Sequence, residues 1–453
     1  MSCLKQRLSP LARISLLFDK HSASSVEGML LGTGQIGGRT ALFYAQDFSV
    51  RGGSLSLKQA ESICSILKEA RSLKVPVIGI FESGGARIEE GADSLYGFSK
   101  VFAQIVRCSG IVPQISLIVG PTAGGSVYSP ALTDFIFMTR ARSFMFLTGP
   151  EVVRAATGEQ VTAEQLGGSE VHELDTGLVD GTFENEVEMF QGIRSLFAYL
   201  PAGETMQTGN CAVTDCGDSA LLNSIIPPNA TEPYDMKLVV KCILDSGSFY
   251  ELKSNYGANL ITGFGRLGGN VVGIVANQPQ VLSGALDCAS SEKGAKFVNF
   301  CNAFSIPILT LVDVPGFLPG TEQESKGVIR EGAKLLRAYA SAQQSAKACV
   351  MLRKAFGGAY CVMSSKGLDD SGRTLNYAWP NAQVAVMGAK AAASLFLKKN
   401  ASKEQVEEKI KQLEMENREI QRLVHKGYID RIIQPSETRE TLIRDLFSKE
   451  KVH

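Results

Sequence analysis

The feature that most constrains the fold of this chain is an internal duplication. Each copy carries a buried-strand sequence followed by a paired-glycine turn. In the first half "KVPVIGIFESGGAR" (Lys74 to Arg87) precedes "GPTAGGSVYSPALTDF" (Gly120 to Phe135), and in the second "SIPILTLVDVPGF" (Ser305 to Phe317) precedes "RKAFGGAYCVMSS" (Arg353 to Ser365). Val75-Pro76-Val77-Ile78 aligns with Ile306-Pro307-Ile308-Leu309, and Gly124-Gly125 with Gly357-Gly358, at nearly the same internal spacing. A glycine pair that ends a strand and starts a helix leaves backbone N–H groups free to meet an oxyanion. Two such turns point to two developing negative charges.

The rest of the chain fits this reading. Short β-branched runs (Val75 to Phe81, Ile115 to Val119, Val271 to Val275, Ile306 to Val312) alternate with helical stretches, the pattern of an α/β protein with buried strands. A Gly, Pro, Thr and Asn-rich stretch from Pro201 to Pro233 is the natural boundary, giving domains at 1–215 and 225–453. Thr162 to Gln165 has the spacing of a capping box and opens a helix. Ser402 to Lys426 reads as a charged surface helix with Val406, Ile410, Leu413 and Ile420 on one stripe.

Composition removes several function classes. Lys plus Arg and Asp plus Glu each total 46, so no net charge draws the chain to nucleic acid. No apolar run approaches the ~18 residues of a membrane span, and "MSCLKQRLSPLARISLLFDKHS" reads as an amphipathic first helix rather than a signal. The cytoplasm is the expected compartment. The ten cysteines are scattered in apolar segments as reduced thiols are, and Cys211 with Cys216 lacks the second pair of a zinc site, so no metal is expected.

Other motifs carry little chemistry. Gly32 to Gly37 matches G-x-G-x-x-G, but a strand follows where a dinucleotide site needs a helix, so a hairpin turn is expected. Met236-Lys237 lies in a helix-like segment without the second methionine of a biotin attachment turn, and no Walker loop is present. Four histidines, none beside a plausible nucleophile, leave Ser-His or Cys-His catalysis without support. Catalysis then falls to the backbone.

Ten co-linear phrases, among them "SGGARIEEGADSL", "GPTAGGSVYSPALTDF", "IIPPNATEPYDMK", "GFGRLGGNVVGIVANQP", "VDVPGFLPGTEQE", "RKAFGGAYCVMSSKGL" and "AWPNAQVAVMGA", resemble the carboxyltransferase (β) subunits of propionyl-CoA carboxylase-type acyl-CoA carboxylases. The likeness runs from about Arg13 to Arg444 and extends to the related transcarboxylase and decarboxylase subunits. It implies two tandem crotonase-like domains, an active site where one protomer's N-terminal domain meets another's C-terminal domain, and a homohexamer. It also implies biotin carried on a partner, a biotin carboxylase and carrier subunit, and a coenzyme A thioester as substrate.

By matching positions, the resemblance assigns the thioester oxygen to N–H groups around Ala86, Gly124 and Gly125, beside Gly85. The biotin ureido oxygen goes to those of Gly358 and Ala359. It leaves Arg87 either a coenzyme A phosphate or an ion pair. Cys361 stands where propionyl-specific relatives have Asp in the acyl pocket, with a buried packing residue as the alternative. Glu82 and Glu89 replace Asp and Gln, the chain is shorter between Ser22 and Glu27, and "REIQRLVHK" takes the place of an Asn-Pro segment. The readings that follow are an acyl-CoA carboxylase β subunit, a decarboxylase or transcarboxylase subunit using the same site in reverse, and an inactive scaffold. Two intact glycine turns speak against the last.

Overall fold

The computed structural model describes residues 7–201, 219–369, 372–397 and 401–447. The chain divides into two units, 1–209 and 210–453. That division, the expected domain end at 215, and Cys211 and Cys216 lie outside the described residues. The expected start at 225 falls at the end of the short helix Leu222–Ile225.

The first unit opens with the helix Pro10–Leu17. Ser9 caps it, Pro10 sits at its first position, and Arg13, Ile14 and Leu17 are buried. Three strands, β1 (Lys20–Val26), β2 (Met29–Ile36) and β3 (Arg39–Ala45), then form an antiparallel meander. From β3 the sheet continues in parallel through β4 (Val77–Ser83), β5 (Gln114–Ala123) and β6 (Phe135–Thr139). β7 (Phe144–Phe146) pairs with β5, and β8 (Gly181–Phe183) with β6. Every residue of β4 is buried, as an unbroken apolar run requires of a parallel strand covered on both faces. The helices Leu57–Leu73, opened by a Ser56/Gln59 capping box, and Ala92–Cys108 pack together over one of these faces.

The G-x-G-x-x-G match is part of this meander. Gly32 and Gly34 lie inside β2, and the hairpin turn expected across them is confined to Gly37-Gly38. A side chain at Gly32 would collide with the Ser22 carbonyl of β1, and one at Gly34 with the Phe18 ring. These two glycines serve strand packing.

The second unit repeats the plan. β9 (Tyr250–Leu252), β10 (Leu260–Leu267) and β11 (Asn270–Asn277) are antiparallel. β11 continues in parallel into β12 (Ile308–Val314), β13 (Lys347–Phe356) and β14 (Thr374–Ala378). β15 (Gln383–Ala385) pairs with β13, and β16 (Arg431–Ile432) with β14. The helices Cys288–Ala303 and Val328–Ser341 cover this sheet as their counterparts cover the first. Each unit has its own core, one around Leu42, Phe81 and Ile118, the other around Val272, Leu309 and Val350.

The charged C-terminal stretch forms two helices rather than one, Lys403–Asn417 and Ile420–His425. Leu413 packs with Ala389 and Ala393, and the Ser402/Gln405 capping box sets the start of the first helix. Thr162 and Gln165 form the capping box expected of them. Among the described residues no helix is long and apolar enough to cross a membrane.

Candidate active site

In the first unit the β4–β5 ladder slips between Phe81 and Ser83, and the chain then turns through Gly84 and Gly85. Gly85 has φ +108°, a left-handed conformation that favours glycine. Leu55 clamps the turn: its N–H donates to the Gly85 carbonyl (2.9 Å) and its carbonyl accepts from Arg87 N–H (3.1 Å). Between these bonds the Ala86 N–H has no hydrogen-bond partner among the described residues.

The end of β5 lies against this turn. Gly124 takes φ +61° and starts a helical turn, Gly124–Val127. Gly125 N–H sits in its first turn, where no helical carbonyl precedes it. A Cβ placed on Gly85 would lie 3.1 Å from the Ala123 carbonyl oxygen and 3.9 Å from Gly124 Cα. The two turns are joined by Ser83 Oγ and Ser126 Oγ at 2.9 Å, and Ser83 Oγ also accepts from Gly85 N–H at 3.2 Å. The fold thus brings together Gly85, Ala86, Gly124 and Gly125.

The second unit has the same construction. β12 and β13 slip between Val312 and Val314, and Gly316 follows with φ +146°. Leu286 takes the part of Leu55, donating to Gly316 O at 3.1 Å and accepting from Leu318 N–H at 2.7 Å. Phe317 N–H, like Ala86 N–H, has no partner among the described residues. Gly357 (φ +60°) ends β13 and opens the short helix Gly357–Cys361. Gly358 and Ala359 fall in its first turn.

Glycine is needed at these positions for different reasons. At Gly357 the backbone is left-handed, and a Cβ would lie 2.9 Å from the Val386 carbonyl oxygen. At Gly358 neither constraint applies, since a Cβ would meet nothing within 4 Å. Packing within this chain gives no reason for glycine at 358, whereas close approach of a bound group to its N–H would.

Phe317 was not singled out from the sequence. The signal was present, because Ala86 and Phe317 both lie eleven residues beyond the aligned Val75 and Ile306. Also missed was a buried acid at the slip in each copy. Glu82 (2% exposed) donates its N–H to Gln46 Oε1 (3.2 Å), and Asp313 (0%) donates its own to Asn277 Oδ1 (3.1 Å). The cations differ. Glu82 pairs with Arg13 (2.8 Å) and Arg7 (2.7 Å), and Arg13 also pairs with Glu186 (2.7 Å). Asp313 pairs with Arg353 of β13 at 2.9 Å. Gly120, the counterpart of Arg353, has no side chain because Glu82 fills that space.

Arg87 shows the ion pair of its two open roles. Its guanidinium is buried against Glu27 (2.5 Å) and Glu90 (3.4 Å), with Ser54 O at 3.0 Å. The Ser56 hydroxyl and Arg87 together hold the Glu27 carboxyl below its ordinary range. Cys361 is exposed on this chain. His172 places both ring nitrogens in hydrogen bonds, to Met145 O and Thr176 Oγ1, and His21 meets Ser15 at 3.2 Å on the exposed surface. Among the described residues no cluster of three His, Cys, Asp or Glu could hold a metal.

This paired α/β framework with bare N–H groups at its strand ends is that of two tandem crotonase-like domains. The chain belongs to the carboxyl transferase domain family, which matches residues 15–452. It is 49% identical over 418 residues to the propionyl-CoA carboxylase beta chain of Cereibacter sphaeroides, covering 91% of this chain and 81% of that one. To the methylmalonyl-CoA decarboxylase subunit alpha of Veillonella parvula it is 44% identical over 425 residues (93% and 82%). Among solved structures it is similar to transcarboxylase 12S, crystallised as a hexamer with hydrolysed methylmalonyl-coenzyme A. The TM-score is 0.91 at 38% identity over 98% of this chain and 92% of that one.

Proposed function

We propose that this chain is the carboxyltransferase subunit of a biotin-dependent acyl-CoA carboxylase, placing CO2 on the α-carbon of a short acyl-CoA such as propionyl-CoA. The observation that carries this reading is the repeated strand-end construction, with an unpartnered N–H at Ala86 and again at Phe317. Bound carboxybiotin, carried by a separate protein, would supply the CO2 and a basic ureido nitrogen. The chain's own part is to hold charge. N–H groups of Ala86 and Gly125, with Gly124 shaping the turn, face the thioester oxygen as the α-proton leaves and the enolate forms. Those of Gly358 and Ala359, joined by Phe317, take the ureido oxygen, and the open space over Gly358 suits such a group. Each such donor contributes roughly 10²–10³ in rate. No side-chain base is required, which fits the scarcity of histidine.

A homohexamer working with a biotin carboxylase and carrier subunit in the cytoplasm completes the reading. The likeness to a decarboxylase subunit favours a second reading for the direction of flux, with the same steps reversed. Acyl choice is assigned to Cys361, whose thiol replaces a carboxylate. A methylene discriminates by about 1–3 kcal/mol in such a pocket.

The test is fixation of labelled bicarbonate by the purified chain with a biotin carboxylase and biotinylated carrier, across acetyl-, propionyl- and butyryl-CoA. Label should enter acyl-CoA only when the carrier is present, and Cys361→Asp should change the kcat/KM ratios among the three. Fixation by the chain alone, or none on any acyl-CoA, overturns the assignment.

A further inference from the structure

Behind the end of β13 the second unit encloses a cavity of about 470 Å³, within the range of small-molecule sites. None of the glycine-turn residues lines it. Its walls are four prolines with Leu222, Ile226 and Trp379, and its polar lining includes Arg353, Gln383 and Arg418 but no aspartate or glutamate.

Two of these polar groups are buried and incompletely used. Gln383 is only 7% exposed, yet its carboxamide makes no hydrogen bond among the described residues. Arg353 is 6% exposed; its Nε donates to Asp313 and its Nη1 to the carbonyls of Glu232 (2.8 Å) and Asn229 (3.3 Å), while Nη2 has no partner among the described residues. The guanidinium of Arg418 at the rim is likewise without an ion pair there. Both buried groups face the cavity with hydrogen-bonding capacity to spare, which a ligand's acceptor would take up.

We infer that this cavity is a binding site for a small organic monocarboxylate with an aliphatic body, distinct from the acyl-CoA and biotin positions. Asp313 already neutralises Arg353, so Arg418 leaves about one net positive charge, matched by a monoanion. The carboxylate accepts from Gln383, Arg353 Nη2 and Arg418, and the prolines, Leu222 and Ile226 enclose the aliphatic part. A larger polyanion would bury charge against this apolar wall without compensation.

Trp379 is the only tryptophan in the chain and forms part of the wall, so its fluorescence reports on this cavity. The experiment titrates the intact oligomer with hexanoate, using hexanamide as the uncharged control and saturating acyl-CoA to fill the thioester position. A saturable change in Trp379 emission is expected that persists with acyl-CoA present. It should weaken about tenfold or more with hexanamide, and equally in Gln383→Leu and Arg418→Met. Arg418→Met should turn over acyl-CoA normally in the absence of hexanoate, showing that it is folded. No saturable response, an equal response to hexanamide, or a response unchanged in both variants overturns the proposal.

Discussion

Ser83 and Ser126 lie on different strand ends, and their hydroxyl oxygens are 2.9 Å apart with both side chains buried. This bond, beside the Ser83–Thr122 ladder pair, ties the Gly84–Ala86 turn to the Gly124 turn, because Ser83 Oγ also accepts from Gly85 N–H. Either serine changed to alanine should lower kcat/KM by about tenfold, since a hydrogen bond contributes roughly 0.5–1.5 kcal/mol and the loss also loosens the aim of Ala86 N–H. The double variant should be little worse than either single one, because both remove the same bond. A cycle measured on acyl-CoA turnover checks this, and fully additive losses would show that the serines act separately.

The adjacent glycines of the second turn should separate stability from catalysis. Gly357→Ala forces a Cβ at φ +60° toward Val386 O and should lower the melting temperature. Gly358→Val places its side chain in open space, so the fold should hold while carboxyl transfer to free biotin falls by about 10²–10³. Calorimetry and steady-state kinetics on both variants distinguish the two. Normal turnover in a folded Gly358→Val would remove the ureido assignment.

Arg13 is 1% exposed between two acids, Glu82 and Glu186. Replacing it by methionine leaves Glu82 with only the half-exposed Arg7. Breaking a buried pair from one side costs about 3–5 kcal/mol, a loss that denaturant titration would register directly. Glu82→Gln in the Arg13→Met background should recover part of it, and failure to recover would mean that packing rather than charge is lost.

Lys293 provides a pH signature. Its ammonium is 2% exposed, donates to the carbonyls of Lys253 (2.7 Å) and Tyr256 (3.0 Å), and is pushed by burial from 10.5 down to about 7, with Glu251 opposing only partly. Between about pH 7 and 10.5 the unfolded chain therefore holds a proton that the folded chain has released. Stability should rise with pH across that window, while below about 7 the full cost of the buried charge is present. Lys293→Met should flatten this rise when unfolding free energies are compared over the same pH range. Parallel curves would mean that Lys293 stays charged throughout.

Much of this was legible in the sequence, for identifiable reasons. Fully buried parallel strands such as Val77–Ser83 and Ile308–Val314 show as continuous apolar runs, and the capping box at Thr162 marks a helix start through local hydrogen bonding. The first glycine of each pair was visible because positive φ at Gly124 and Gly357 leaves few alternatives. Phe317 was hidden because a backbone N–H is the same in every residue but proline, so its role emerges only from the Leu286 clamp around it. Glu82 looked like a substitution at a strand end, and Asp313 was not singled out. Their meaning depends on Arg13, distant in sequence, and on Arg353, visible only once strand register is known.

The different origin of those two arginines bears on how easily each counter-ion can be lost. In the second unit the counter-ion belongs to the neighbouring strand, so the acid at the slip is satisfied within the sheet itself. In the first it comes from Arg7 and Arg13, carried on a leading segment that reaches Glu82 over nearly seventy residues of chain. Local opening of that leading helix strips the counter-ion from the residue immediately before Ser83, whereas the Asp313 pair is lost only when the two strands themselves separate.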